Sequence, residues 1–272
     1  MKGACPMGTG LNGTSRTTLP GFPAAHLAVL PVLVLGLLLT SLAELCAGDL
    51  VLSNKFGEVS AEIFVPGEVP VLRGLYVHAA NYKLKPDDRW AEAGRAIGFG
   101  HIALDIDRKA NNRPMKLRKA LDEALVEFAA KSGHRELPNL PLAGTGHSAG
   151  GWVTQIILKT PERSITAAID CAWIVDSMKL NPADKAVPML FTLGAIPDDF
   201  KMLPDITNKF LPARADGWPW GLGVQHGCAH DFGNSATLAL PWMEAVIAAR
   251  LHRESSALDA PPKLRDLKIE DG

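Results

Sequence analysis

Residues 48–253 predict an α/β domain, built as a mainly parallel, twisted sheet with helices on both faces. Two observations lead there. Strand-type and helix-type patterns alternate along the chain, and strands separated by helices of ten or more residues are joined by parallel crossovers. Several strand-type runs, "AVPMLFTL" (186–193) among them, are near-continuously apolar, as strands covered on both faces must be.

The elements follow in order. "DLVLSN" (49–54) and the alternating "VSAEIFV" (59–65) read as two early strands, and "PVLRGLYVHAA" (70–80) as a buried strand ending in small residues. "DDRWAEAGRAIGFG" (87–100) opens on acids, spaces Trp90, Ala93 and Ile97 along one face and closes on glycines, so it is a helix with both its start and stop signals. "HIALDID" (101–107) is a strand. Residues 114–133 form the clearest helix, with Leu117, Leu121, Leu125 and Phe128 on one stripe and Gly133 as its cap. Then come "LPLAGTG" (strand), "GGWVTQIILKT" (helix), "SITAAIDCAW" (strand) and "AVPMLFTLGA" (strand). Residues 198–218 read as loop-rich. "PWGLGVQHG" is the last strand and "SATLALPWMEAVIAARLH" the closing helix. Residues 254–272, with paired prolines, read as a loosely ordered polar tail.

Residues 1–47 differ in kind. Lys2 and Arg16 are the only charges before an apolar run from Leu27 to Leu39, after which "TSLAELCAG" supplies small residues at the spacing of a signal-peptidase site. Cleavage is expected after Ala43, with Ala47 as the alternative. The run is shorter than the ~18 residues of a membrane span and is interrupted by Pro31 and Gly36, so no stable span remains after cleavage. Export places the protein in the periplasm or outside the cell. The net charge of −1 carries no basic excess for nucleic-acid binding. No Cys-x-x-Cys, His-Glu-x-x-His or clustered ligand set points to a metal, and no cofactor is implied. Trp218, Trp220 and Trp242 offer a second reading, as a platform for sugar rings.

The chemistry gathers at "PLAGTGHSAGGWVTQIIL" (141–158), where Ser148 stands between Gly146 and Gly150 at a strand-to-helix seam. Gly-x-Ser-x-Gly arises by chance in a chain like this with a probability of about 0.1, but the strand before and the helix after supply the context the motif requires. A serine hydroxyl is a weak nucleophile until a base takes its proton. Candidate bases are His230 and, as the alternative, His226, both in "GVQHGCAHDFGNS". His147 reads as a packing residue, and His101, His134 and His252 as ordinary strand, loop and surface histidines. Candidate acids are Asp198 and Asp199, a few residues beyond Gly194, with Asp170 and Asp176 as outsiders. Two backbone donors are needed for an oxyanion: the N–H of Ala149, and that of Ala80 with Asn81 as its neighbour.

These residues resemble the α/β-hydrolase superfamily over nearly all of the chain past the leader. The order Ser148, Asp198, His230 is similar to that family's Ser…Asp…His order. The resemblance implies the α/β-hydrolase fold and a Ser-His-Asp triad working through an acyl-enzyme. The base would follow the last strand and the acid the penultimate one, with Ala149 and Ala80 in the oxyanion hole. His78-Ala79-Ala80 occupies the place of a His-Gly-x pattern common in the family. The implied substrate is a small-molecule or polymer-attached carboxylic ester. A serine peptidase of the same fold and a catalytically inactive binding module are the alternatives.

In this fold Cys171 and Cys228 are expected near the same sheet edge, and export permits a disulfide between them. It would close about 57 residues, worth about 4 kcal/mol in the chain-entropy model. Non-reducing peptide mapping of the exported protein reads both expectations at once. The new N-terminus should lie between Glu44 and Gly48, and one cross-linked peptide pair should carry Cys171 and Cys228. Full-length protein in a membrane fraction would refute the first, and two alkylatable thiols the second.

Overall fold

The computed structural model describes residues 48–267 apart from 80–82, 86–87, 108, 171–186, 197–199 and 202. Eight strands form one sheet: β1 (Leu50–Phe56), β2 (Val59–Val65), β3 (Gly74–Ala79), β4 (Phe99–Ile106), β5 (Leu142–His147), β6 (Ser164–Asp170), β7 (Met189–Gly194) and β8 (Trp220–Gln225). Their spatial order is β1-β2-β4-β3-β5-β6-β7-β8. The first two strands form an antiparallel hairpin, and β2 runs antiparallel to β4. From β4 to β8 every pairing is parallel. The expected α/β architecture is therefore present, with its antiparallel pair at one edge.

The helices are α1 (Arg89–Ile97), α2 (Arg113–Ser132), α3 (Val153–Leu158), α4 (Leu203–Ala215) and α5 (Ser235–Arg250). Local chemistry sets their ends. Asp88 caps α1 by accepting the N–H groups of Trp90 and Ala91 at 3.0 and 2.9 Å, and Gly98 ends it at φ 73. Pro114 sits in the first turn of α2, where its missing N–H costs nothing. Leu117, Leu121, Leu125 and Phe128 of α2 pack with Ile102, Leu104 and Ile157 under one face of the sheet. Met243, Val246 and Ile247 of α5 cover Tyr76, Phe99 and Ile165 on the other. Each strand between these layers is apolar on both sides, so the sheet's interior cannot shift register without exposing one core.

Two expectations are corrected. Residues 198–218 are not loop throughout, because α4 occupies Leu203–Ala215. Leu203, Ile206, Phe210 and Ala213 lie at helical spacing and pack onto the core beside Trp218 and Trp220. Pro204, Pro212 and the polar residues between them mask that stripe in the sequence. The tail is also tied down as far as it is described. Ala257 is buried, and Leu264 and Leu267 pack against the α5 core. Arg265 N–H donates to the Arg250 carbonyl at 2.9 Å, and Arg250 Nε returns a bond to the Arg265 carbonyl at 3.1 Å. Arg250 is itself buried and donates Nη1 to the carbonyls of Ser164 and Ile165, joining the tail to the start of β6.

A cluster of buried rings lies between α1 and the sheet. His78 and His101 pack with ring centroids 5.3 Å apart, and Trp90 of α1 lies 5.5 Å from His78. Burial holds His78 well below the ordinary imidazole range, with neighbouring His101 adding to the effect. Burial likewise lowers His101 to about 4, against opposing contributions from Asp88 and the Trp90 backbone. Both imidazoles are thus neutral in the folded protein and take up protons on unfolding. Their contribution to stability is complete above the unfolded value of about 6.5 and is lost as pH falls toward 4. For His101 alone the loss approaches about 3 kcal/mol. His101→Phe keeps an aromatic ring and removes the titration. Its melting temperature should fall less than the parent's between about pH 6.5 and 4, and identical slopes in calorimetry would refute this account.

Candidate functional site

The chain leaves β3 to build β4 on one side, then crosses back to start β5 on the other. Strand order reverses there, and such a switch point at the carboxyl ends of the strands is where open α/β sheets hold their ligands. Ser148 is the first residue beyond β5, at that switch point.

Its backbone is left-handed, with φ 53, one of two non-glycine residues at positive φ among the described residues. The chain turns there from β5 into a five-residue 3-10 turn, Ser148–Trp152, before α3 begins. The expected single helix is thus a tight turn followed by a short helix. The sharpness of the turn explains the flanking glycines. A Cβ on Gly146 would stand 2.1 Å from the Gly150 carbonyl oxygen, so the two ends of the motif touch through backbone atoms. No side chain fits at that approach, and the serine hydroxyl is held out at the sheet edge.

His230 Nε2 lies 2.8 Å from Ser148 Oγ, a hydrogen bond between residues 82 apart in sequence. His226, the alternative base, is exposed just past the end of β8. His147 stacks on Phe232 (centroids 4.4 Å, 30°), and its ring lies 4.9 Å from that of His230. The motif's own histidine therefore braces the base from behind. Phe232 is invisible to a search for polar groups; its signal was an aromatic two residues past His230, with nothing else to explain it.

The loop bearing His230 is also fitted to the end of β7. Ile196 N–H donates to the Cys228 carbonyl at 2.9 Å, and a Cβ on Gly194 would meet the carbonyls of Cys228 and Ala229 at 2.4 Å. Asp198 and Asp199 begin two residues beyond this junction, but both lie outside the described residues, as do Asp176, Cys171, Ala80 and Asn81. Ala149 is on the 3-10 turn, one residue past the serine. Asp170 ends β6, paired in register with His147, and is buried. Its Oδ1 accepts Thr192 Oγ1 at 2.5 Å and Gln225 Nε2 at 3.3 Å.

The tryptophans form no platform. Trp218 and Trp220 are buried and pack edge-on with centroids 5.0 Å apart, while Trp242 is partly buried against the α5 core. Among the described residues no cluster of three or more His, Cys, Asp or Glu side chains could hold a metal.

A serine hydroxyl in contact with an imidazole, on a backbone forced outward, can lose its proton to that imidazole as it attacks a carbonyl. The contact depends on Gly194. Gly194→Ala should push the Cys228–Ala229 carbonyls away and lengthen the Ser148–His230 contact beyond about 3.5 Å, the outer limit of a hydrogen bond. A crystal structure of that variant with the contact unchanged would refute the dependence.

No protein-family model matches the chain, and no curated protein matches it in sequence. Solved structures do match in fold. A dienelactone hydrolase from Anabaena variabilis is similar at TM-score 0.53 and 15% identity, over 76% of this chain and 99% of that one. MGS-M1, an alpha/beta hydrolase from a Medee basin deep-sea metagenome, is similar at TM-score 0.53 and 13% identity, over 74% and 99%. Carboxyl esterase 2 of the fungus Tuber melanosporum is similar at TM-score 0.52 and 14% identity, over 75% and 87%. With the strand order, the turn after β5 and these likenesses together, the chain has the α/β-hydrolase fold.

Proposed function

We propose that this protein is an exported serine hydrolase acting on carboxylic esters. The observation that carries the reading is the 2.8 Å contact between His230 Nε2 and Ser148 Oγ, made by a serine in left-handed conformation just past the end of β5. Relatives in fold include proteins described as a dienelactone hydrolase and a carboxyl esterase, which supports ester chemistry over other acyl transfers.

In this mechanism His230 takes the Ser148 proton while Oγ attacks the acyl carbonyl, forming a tetrahedral oxyanion. The N–H of Ala149, with a second donor from Ala80, stabilises that charge. As the intermediate collapses, His230 returns the proton to the departing alkoxide, leaving an acyl-serine and a free alcohol. A water then enters, gives its proton to His230 and attacks the ester carbon; collapse reprotonates Ser148 and releases the carboxylic acid. Asp198, or its neighbour Asp199, orients the imidazole and balances its transient positive charge. No metal or organic cofactor takes part. Removal of the leader after Ala43 or Ala47 delivers this domain to the periplasm or the medium.

A fluorophosphonate probe should label the purified mature protein at Ser148 alone. Ser148→Ala should abolish labelling and lower turnover of p-nitrophenyl esters at least ~10³-fold. His230→Ala should lose as much, because the two act as a unit, while His226→Ala keeps most activity. Asp198→Asn and Asp199→Asn, compared directly, should differ at least about tenfold, the larger loss marking the orienting acid. Undiminished turnover in Ser148→Ala would end the reading.

A further inference from the structure

We infer that Gln225 is a positioning residue for His230, acting by closing the neck of the loop that carries it and by anchoring that neck to Asp170. The inference rests on the serine-hydrolase reading for its consequence, but not for its geometry.

Gln225 is the last residue of β8, and Asn234 stands immediately before α5. His230 lies midway along the eight residues between them. The side chain of Gln225 uses both ends of its amide. Oε1 accepts the Asn234 N–H at 2.8 Å, across the neck of the loop. Nε2 donates to Asp170 Oδ1 at 3.3 Å, at the carboxyl end of β6. Thr192 of β7 donates to the same carboxylate oxygen at 2.5 Å. The main chain joins in, with the Gln225 carbonyl accepting the Ala195 N–H at 2.9 Å. One residue thus ties the ends of β6, β7 and β8 to the start of α5.

Ring packing holds the loop on one side only, where His147 meets His230 and Phe232. His230, Asp231 and Phe232 are exposed, and a cavity of about 500 Å³ lined by Thr192, Gln225, Cys228 and Leu238 lies against the loop. Beyond the stacking of Phe232 on His147, the exposed loop keeps its geometry through its hydrogen bonds, and a displacement of about 1 Å at a reacting group can cost about a hundredfold in rate. Gly233 fits the same arrangement: it has φ +47, and a Cβ there would stand 2.5 Å from Cys228 Sγ and 2.9 Å from Gln225 Oε1. The loop leaves no room for a side chain between Cys228 and the amide.

The polarity of the amide gives the test. An acceptor is needed toward Asn234 and a donor toward Asp170. Gln225→Glu keeps the acceptor and sets a carboxylate against a carboxylate, whereas adding Asp170→Asn restores a donor between the same two positions. Fluorophosphonate labelling rates, melting temperatures and amide exchange of peptides spanning residues 226–234 are measured on the mature protein. Gln225→Leu and Gln225→Glu should each slow labelling about 10- to 100-fold and speed exchange in residues 226–234, with α2 and α5 unchanged. The double variant Gln225→Glu/Asp170→Asn should recover most of the labelling rate lost in Gln225→Glu. Parent-like labelling and exchange in both single variants would overturn the inference. So would a loss in Gln225→Glu that Asp170→Asn fails to recover. If the parent itself does not react with the probe, it is the serine-hydrolase reading that falls; the exchange measurement then decides alone whether Gln225 holds the loop.

Discussion

The site depends on a single close approach, that of Gly146 to the Gly150 carbonyl. With 2.1 Å between a notional Cβ and that oxygen, the backbone before and after Ser148 is in contact with itself. Only this lets β5 end so abruptly that a serine must adopt φ 53, a conformation that costs an L-residue roughly 1–2 kcal/mol. The cost is offset by what lies on either side. β5 is paired in parallel on both flanks, by β3 and β6, and Val153, Ile156 and Ile157 of the following turn and helix are buried in the core. A strained residue persists when its neighbours over-determine it. Here the neighbours are the two central strand pairings and one full face of the core.

The same logic sorts the histidines. His78 and His101 sit two strands deep under Trp90, where burial keeps them neutral and makes them part of the packing. His147 is at the edge, stacked on Phe232. His230 is outside, exposed, one hydrogen bond from the serine. The four differ in depth rather than in kind. On the proposed reading, a group that exchanges protons with solvent and with a leaving alcohol belongs at the outermost of these levels.

Much of the architecture was readable because each layer writes its own period. β2 alternates, β3 and β7 are near-continuously apolar, and α2 carries a stripe at helical spacing that ends at a glycine. The α4 stripe was hidden because two prolines and a run of polar residues interrupt the pattern that Leu203, Ile206, Phe210 and Ala213 form. The tail was misread because three apolar residues spread over eleven positions have no period. They dock through backbone bonds to Arg250, which sequence does not encode locally. The contact between Ser148 and His230 could be anticipated from a strand-end serine and a histidine after the last strand. Gln225 could not, since a glutamine at a strand end has no signature until the partners on β6 and before α5 are known.

The exposure of His230 removes the usual means of holding a side chain still. A core side chain is fixed by many weak contacts, each nearly dispensable. An exposed loop is fixed by a few directional bonds, and each carries a large share of the geometry. In this fold those bonds come from the ends of three neighbouring strands: Asp170 on β6, Ala195 and Ile196 just past β7, and Gln225 on β8. β6 and β7 are buried along their whole length, and β8 is tied to β7 by a parallel ladder from Trp220 to Gln225, so these strand ends are firm points at the rim of the sheet. The placement of the imidazole is therefore set by the sheet and transmitted through hydrogen bonds, with the His147–Phe232 stack beside them.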